Sequence, residues 1–117
     1  MHVLDQKIYL SVECLKMHRG GLSTAVPRIA VITNTTCYIL DKSFAVKFQI
    51  PLTDISGISC SSLKDGVMVI HCPNDKRGDF VIRNDDRMIE IFSRLYLAIK
   101  EHKKIPTVLV SERYFSL

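Results

Sequence analysis

CLKMHRGGLSTAVPRIAVIT, residues 14–33, decides how the rest of the chain is read: two stretches of strand character flank a Gly-Gly loop, with basic residues at both ends. No acidic residue falls between Glu13 and Asp41, while Lys16, Arg19 and Arg28 carry fixed positive charge and His18 stands among them. A hairpin of this composition suits an anion.

Upstream of it, Ile8, Leu10, Val12 and Cys14 alternate with Tyr9, Ser11 and Glu13, the period-two pattern of a strand covered on one face. Lys16 falls on that covered face, where burying a charge is costly. A bulge or an open barrel mouth accounts for it, and the ammonium must find solvent or an anion. Downstream, Gly20 to Pro27 reads as the turn and RIAVIT as a second strand rich in β-branched residues.

Further along, CYILD, FAVKFQI, the pair DISGISCSS and GVMVIHC, and DFVIR read as short strands joined by short turns. Asp65-Gly66 is the hairpin-turn dipeptide of the DISGISCSS/GVMVIHC pair. From Asn84 the period changes: Met88, Ile91, Phe92, Leu95 and Ile99 recur at helical spacing, which predicts an amphipathic helix over about 85–103. Asn84, Asp85 or Asp86 caps its start, Lys100, Lys103 and Lys104 suit its negative end, and Pro106 stops it. The tail TVLVSERYFSL reads either as one more strand or as loose packing. Together these give a mainly β protein, a sandwich or barrel of about seven antiparallel strands over 8–83 capped by one C-terminal helix. The chain, 1–117, reads as a single domain.

Composition narrows the function. A 117-residue chain with 47% hydrophobic and 24% charged residues reads as one soluble, globular domain, and the N-terminus MHVLDQKIYLSVE, too polar and too regularly alternating for a signal peptide, makes it an expected intracellular one. Its net charge of +4 favours acidic surfaces without naming one. No apolar segment approaches the roughly 20 residues that span a bilayer, so any membrane contact is expected at the surface. Cys14, Cys37, Cys60 and Cys72 stand far apart inside or beside apolar runs, without the close pairing of zinc sites, and are expected as buried, reduced thiols.

Enzymatic signatures are missing. The sequence has no Gly-rich phosphate loop before a helix, no Gly-x-Ser-x-Gly elbow and no Cys-x-x-Cys pair. His71-Cys72 closes an apolar strand, and Asp54, Asp65 and Asp79 stand at strand or turn boundaries where Asp commonly satisfies backbone donors. No catalytic residue, metal ligand or cofactor is nominated. The basic residues are not interleaved with an aromatic platform for single strands, so nucleic acid is not expected as a partner. A second basic site, Asp75-Lys76-Arg77-Gly78, reads first as a solvated turn.

RIAVITNTTCYILD, IPLTDISGISCSSLKDGVMVIH and KRGDFVIRNDDRMIEIFSRLY resemble, in that order and spacing, the tail homology 1 domain of class I myosins. The Ile-Pro-Leu-x-Asp-Ile-x-Gly-Ile-Ser run, Asp-Gly before a strand ending in His, and Gly-Asp-Phe leading to Met-Ile-Glu carry the resemblance, which covers about Leu15 to Val110. It implies a pleckstrin-homology-like fold, a partly open barrel closed at one end by the helix. It also implies a noncatalytic module that docks an actin-based motor onto acidic membranes, cytoplasmic and peripheral at membrane and actin cytoskeleton, as a monomer. Phosphoinositide headgroups are then expected at Lys16 and Arg28 on the first two strands with Arg19 between them, and His18, Lys47, Lys76 and Arg77 as auxiliaries. The loop GGLSTAVP lacks the Lys and Arg that crowd it in membrane-binding members, which implies weaker lipid affinity. Leu22 and Val26 at the loop tip are candidates for shallow insertion. The same architecture also hosts peptides at a strand edge or beside the helix, so a protein-interaction scaffold is the alternative.

Overall fold

The computed structural model describes residues 7–18, 21–61, 65–102 and 107–110, with residues 18, 21–24 and 107–110 as backbone alone. Seven antiparallel strands precede one helix: β1 Ile8–His18, β2 Gly21–Thr33, β3 Thr36–Leu40, β4 Val46–Pro51, β5 Gly57–Cys60, β6 Val67–His71, β7 Phe80–Arg83, then α1 Met88–Glu101. A short β8, Thr107–Val110, follows α1 and pairs in parallel with β5. The sheet order is β4-β3-β2-β1-β7-β6-β5-β8, so the barrel is not closed.

In β1 the alternation holds where it matters: Leu10, Val12 and Cys14 are buried and Ser11, Glu13 and Leu15 exposed. Ile8 departs from it and is 49% exposed. The register slips between Ile8, opposite Thr33, and Leu10, opposite Ile32, and this extra residue turns Ile8 to solvent. Lys16 keeps the inward phase, and the second irregularity comes only after it, between Lys16 and His18. An open mouth, not a bulge before it, accommodates the charge.

The expected long turn from Gly20 to Pro27 is corrected. Backbone pairing with β1 runs from Gly21 to Thr33, which makes residues 21–27 strand despite their turn-forming composition. Pro27 is tolerated because β3 pairs with β2 no further than Leu40 opposite Ile29, leaving Pro27 with one neighbouring strand and no obligatory N–H bond on the other side. Phe44, expected at the start of a strand, belongs instead to the turn before β4.

Gly66 shows its turn chemistry directly. Its φ is 71°, and a Cβ there would lie 2.5 Å from the carbonyl oxygen of Asn84, whose N–H donates to Gly66 O at 2.9 Å. Asp65 Oδ1 accepts from Val67 N at 3.1 Å. Asn84 Oδ1 in turn accepts from Asp86 N and Arg87 N, forming the turn that leads into α1. The helix starts at Met88, later than the spacing predicted, and buries Ile91, Leu95, Ala98 and Ile99. Lys103, Lys104 and Pro106 lie outside the described residues.

The helix packs against β1, β2, β5, β6 and the 3-10 turn Leu52–Asp54 that follows β4. Tyr9, near the start of β1, donates its hydroxyl to Glu101 Oε2 at 2.6 Å near the end of α1. The main core is built from Leu10, Val12, Ile32, Ile39, Ile50, Ile58, Ile70, Ile82 and the helix face, and a second, smaller buried cluster joins Ile29, Val31, Tyr38 and Leu40 of β2 and β3. The helix thus closes the end of the barrel opposite the β1–β2 turn. The other end stays open.

Candidate functional site

Antiparallel register settles which side chains share the mouth. Lys16 is paired with Val26 and Arg28 with Cys14, so the two basic residues are offset by two positions. Because directly paired residues point to one face and the side-chain period is two, an offset of two keeps Lys16 and Arg28 on the same inner face as diagonal neighbours. A slip of one residue would have separated them.

Beneath them lies an aromatic floor. Phe48 of β4 and Phe80 of β7 meet edge to face with ring centroids 4.6 Å apart, which brings one edge strand of the open sheet against its middle. Lys16 Nζ stands 5.0 Å from the Phe48 centroid and 5.4 Å from that of Phe80. Arg77 Cζ lies 4.2 Å from the Phe48 centroid and 5.8 Å from Phe80. Two cations, one on β1 and one in the loop before β7, therefore rest on one pair of rings, each contact worth about 0.5–1 kcal/mol where exposed.

Charge balance at the mouth is uneven. Arg77 is held by Asp75 through a two-point pair at 3.0 and 3.1 Å. That pair raises the Arg77 pKa and holds the Asp75 carboxyl below the ordinary range. None of the ion pairs among the described residues involves Lys16 or Arg28. Desolvation, then the charges of Arg28 and Arg77, push the Lys16 pKa down. Arg28 donates from Nη1 to the carbonyl of Pro27 at 2.9 Å, and its Nε is buried without a hydrogen-bond partner.

The remaining predicted residues fall in three groups. Arg77 joins the mouth. Lys47 stands beside the bulge where β3 and β4 change register, 3.9 Å from Asp41 Oδ2, and Lys76 is exposed in the turn before β7. Arg19 and the side chains of His18 and Leu22 lie outside the described residues; Val26 is half-buried opposite Lys16.

Sequence reasoning missed a second arrangement. Ser59 Oγ lies 2.6 Å from His71 Nε2, His71 Nδ1 lies 2.8 Å from Asp79 Oδ2, and Asp79 Oδ1 accepts from Cys72 N at 3.1 Å. The order resembles a hydrolase relay, yet Ser59 is fully buried within a regular strand, and nucleophilic attack needs access to substrate. Two shallow grooves, about 330 and 500 Å³, are lined by other residues. The three side chains act as a clamp that ties β5, β6 and the base of the loop carrying Arg77. The four cysteines are free and buried as expected, with the Cys14 and Cys72 thiols pushed up to about 11 and Cys37 to about 12 by burial. Among the described residues no cluster of His, Cys, Asp and Glu forms a metal site, and no helix is long and apolar enough to cross a membrane.

Of the sheet edges, that of β5 is filled by β8, and β4 forms the other outer edge, with Val46, Lys47 and Gln49 exposed. A peptide adding to β5 would have to displace the chain's own strand.

Comparison with known proteins bears on these features. Residues 1–114 match a family described as unconventional myosin tail, actin- and lipid-binding. Unconventional myosin-Ib of Homo sapiens is 29% identical over 118 residues, covering 95% of this chain. The chain spans about a tenth of that protein's length, 10%. Among solved structures, the hSac2 domain from human phosphoinositide phosphatase Sac2 superposes with a TM-score of 0.70 at 13% identity, covering 97% of this chain and 82% of that one. The Slm1-PH domain in complex with inositol-4-phosphate gives 0.66 at 15%, covering 79% and 96%. These likenesses show a pleckstrin-homology-like fold.

Proposed function

The chain belongs to the unconventional myosin tail family, and on that premise we propose that it docks a class I myosin onto membranes by binding anionic headgroups of acidic phospholipids, phosphoinositides among them. It is a tail module and not a catalytic domain. The observation that carries the reading is the pair Lys16 and Arg28, on one face of the mouth and without a carboxylate partner among the described residues.

A phosphate group answers each local deficit. It supplies acceptors to the guanidinium of Arg28, whose planar fork suits phosphate oxygens, and it offsets the mutual repulsion of Lys16, Arg28 and Arg77. Arg77 is the third member of the site, steadied by Asp75 and Phe48. Arg19 is proposed as the loop's contribution. Lys76, Lys47 and His18 act at longer range by adding to the positive field facing an acidic surface. The inositol-4-phosphate bound by the similarly folded Slm1-PH domain fits a ligand of this class. Through this contact the tail would link an actin-based motor to the membrane at the cytoplasmic surface.

Sedimentation with vesicles containing phosphatidylserine and a phosphoinositide tests it. Each basic residue near an anionic membrane is worth about 1 kcal/mol, so Lys16→Ala/Arg28→Ala is expected to weaken binding roughly 30-fold at low salt and Arg77→Ala about fivefold. Equal sedimentation of the double variant and wild type would sink the proposed site.

A further inference from the structure

The turn between β3 and β4 presents an aromatic ring to solvent in a backbone conformation that disfavours it. Phe44 is 70% exposed, the most exposed of the large hydrophobic side chains among the described residues. Its φ is 67°, in the left-handed region where a bulky residue is a genuine outlier and glycine is relaxed. Exposure and strain both act against the folded state at one position.

The turn is held firmly in that shape. Asp41 Oδ1 accepts from Ser43 N at 2.8 Å, Ser43 Oγ at 2.6 Å and Ala45 N at 3.0 Å. Phe44 N donates to Asp41 O at 3.0 Å and Asp41 N to Ala45 O at 2.9 Å. Five hydrogen bonds over five residues fix where the ring stands before any partner arrives. Strain of this kind, over-determined by its surroundings, points towards function.

Register places the ring relative to the mouth. Leu40 lies opposite Ile29, and β2 continues from there towards the β1–β2 turn through Arg28 and Pro27 to Val26, which is opposite Lys16. Phe80 opens β7, whose Val81 pairs with Met17 at the same end. The β3–β4 turn therefore opens on the end of the barrel that carries Lys16, Arg28 and Arg77, away from α1. Lys42 and Lys47 flank Phe44 in sequence and are both half exposed, the first paired with Glu13 at 2.7 Å and the second 3.9 Å from Asp41 Oδ2. An apolar tip flanked by two exposed lysines, on the end of the barrel that carries Lys16 and Arg28, complements an acidic lipid surface, where the ring enters the boundary between headgroups and acyl chains while ammonium groups stay at the phosphates.

We propose that Phe44 is a preformed interfacial anchor that inserts into the bilayer beside the headgroup site. This rests on the membrane-docking reading above and adds a lipid-chain contact to it. The chain contains no tryptophan, so Phe44→Trp reports from that position alone. On binding phosphatidylcholine vesicles that contain phosphatidylserine and a phosphatidylinositol bisphosphate, its emission is expected to shift to the blue and to be quenched by brominated acyl chains.

Phe44→Gly supplies the second readout. Relief of the positive φ is expected to raise the unfolding midpoint, while vesicle affinity falls about tenfold, the weight of partly burying one aromatic side chain. Affinity for a soluble inositol phosphate stays as in wild type. Vesicle binding of Phe44→Trp without shift or quenching, or wild-type vesicle affinity in Phe44→Gly, overturns the anchor and leaves the headgroup reading standing. Equal losses for vesicles and soluble inositol phosphate also overturn it, by making Phe44 part of the headgroup site. Failure of the wild type to bind any of these vesicles overturns both.

Discussion

Lys16 and Arg28 stand on adjacent strands, out of direct pairing by two positions and yet on one face, with Val26 and Cys14 as their respective partners across the hairpin. The offset separates their backbones without dividing their side chains between two surfaces. Lys16 feels this proximity, since Arg28 follows burial among the causes of its lowered pKa.

A titration follows from that shift. In the unfolded chain Lys16 holds its proton up to the ordinary lysine value, and in the folded chain it loses it earlier. Between the two values the unfolded state binds more protons, so stability rises with pH across this window below 10.5, and below it the repulsion is fully present. A bound inositol phosphate opposes the shift and moves the Lys16 pKa back up. NMR of the Lys16 side chain against pH, with and without ligand, measures both; an unchanged midpoint on ligand addition would count against contact.

The clamp beneath Arg77 predicts a graded outcome. Asp79→Asn keeps the acceptor for Cys72 N but replaces the charged oxygen facing His71, whereas Asp79→Ala removes both bonds at the base of the loop. Losing a partner of buried polar groups costs about 1–3 kcal/mol. Denaturant midpoints should fall in the order wild type, Asp79→Asn, Asp79→Ala, with vesicle binding at saturating fold stability affected least by Ser59→Ala. Midpoints for Asp79→Ala that match wild type would remove the clamp.

Gly66→Ala is expected to be among the most damaging single methyl additions. Both the positive φ and the 2.5 Å approach to Asn84 O forbid the new Cβ, and backbone must move to admit it. A loss of about 2 kcal/mol or more is anticipated, since strain adds to the usual cost of an incompatible Gly→Ala change. Urea unfolding gives the number directly, and a neutral result would mean that the turn before β6 can relax.

Local pattern carried much of this into view. The β1 phase exposed Lys16 as an inward charge, and the 3.6-residue period marked α1 through Ile91, Leu95 and Ile99. Where local chemistry and long-range pairing disagreed, pairing prevailed: Gly21, Ser23 and Pro27 have turn propensities, yet β1 recruits them into strand. Ile8 misled because one bulge reverses a face. The aromatic floor was illegible for a different reason, since Phe48 and Phe80 belong to strands far apart in sequence and in sheet order, and only barrel curvature brings the rings together. Ser59, His71 and Asp79 meet for another reason, since β5 and β6 are neighbours in the sheet and Asp79 stands just before β7, a side-chain match that strand pattern alone does not show.

The floor also governs how far the mouth can act. A carboxylate would hold Lys16 in place as well as a ring does, but it would cancel the charge in doing so. An aromatic face attracts the ammonium through a quadrupole whose potential dies away far faster with distance than that of an ion. Phe48 and Phe80 therefore fix the cation near at hand while leaving its monopole nearly undiminished at the range where an approaching surface first senses it.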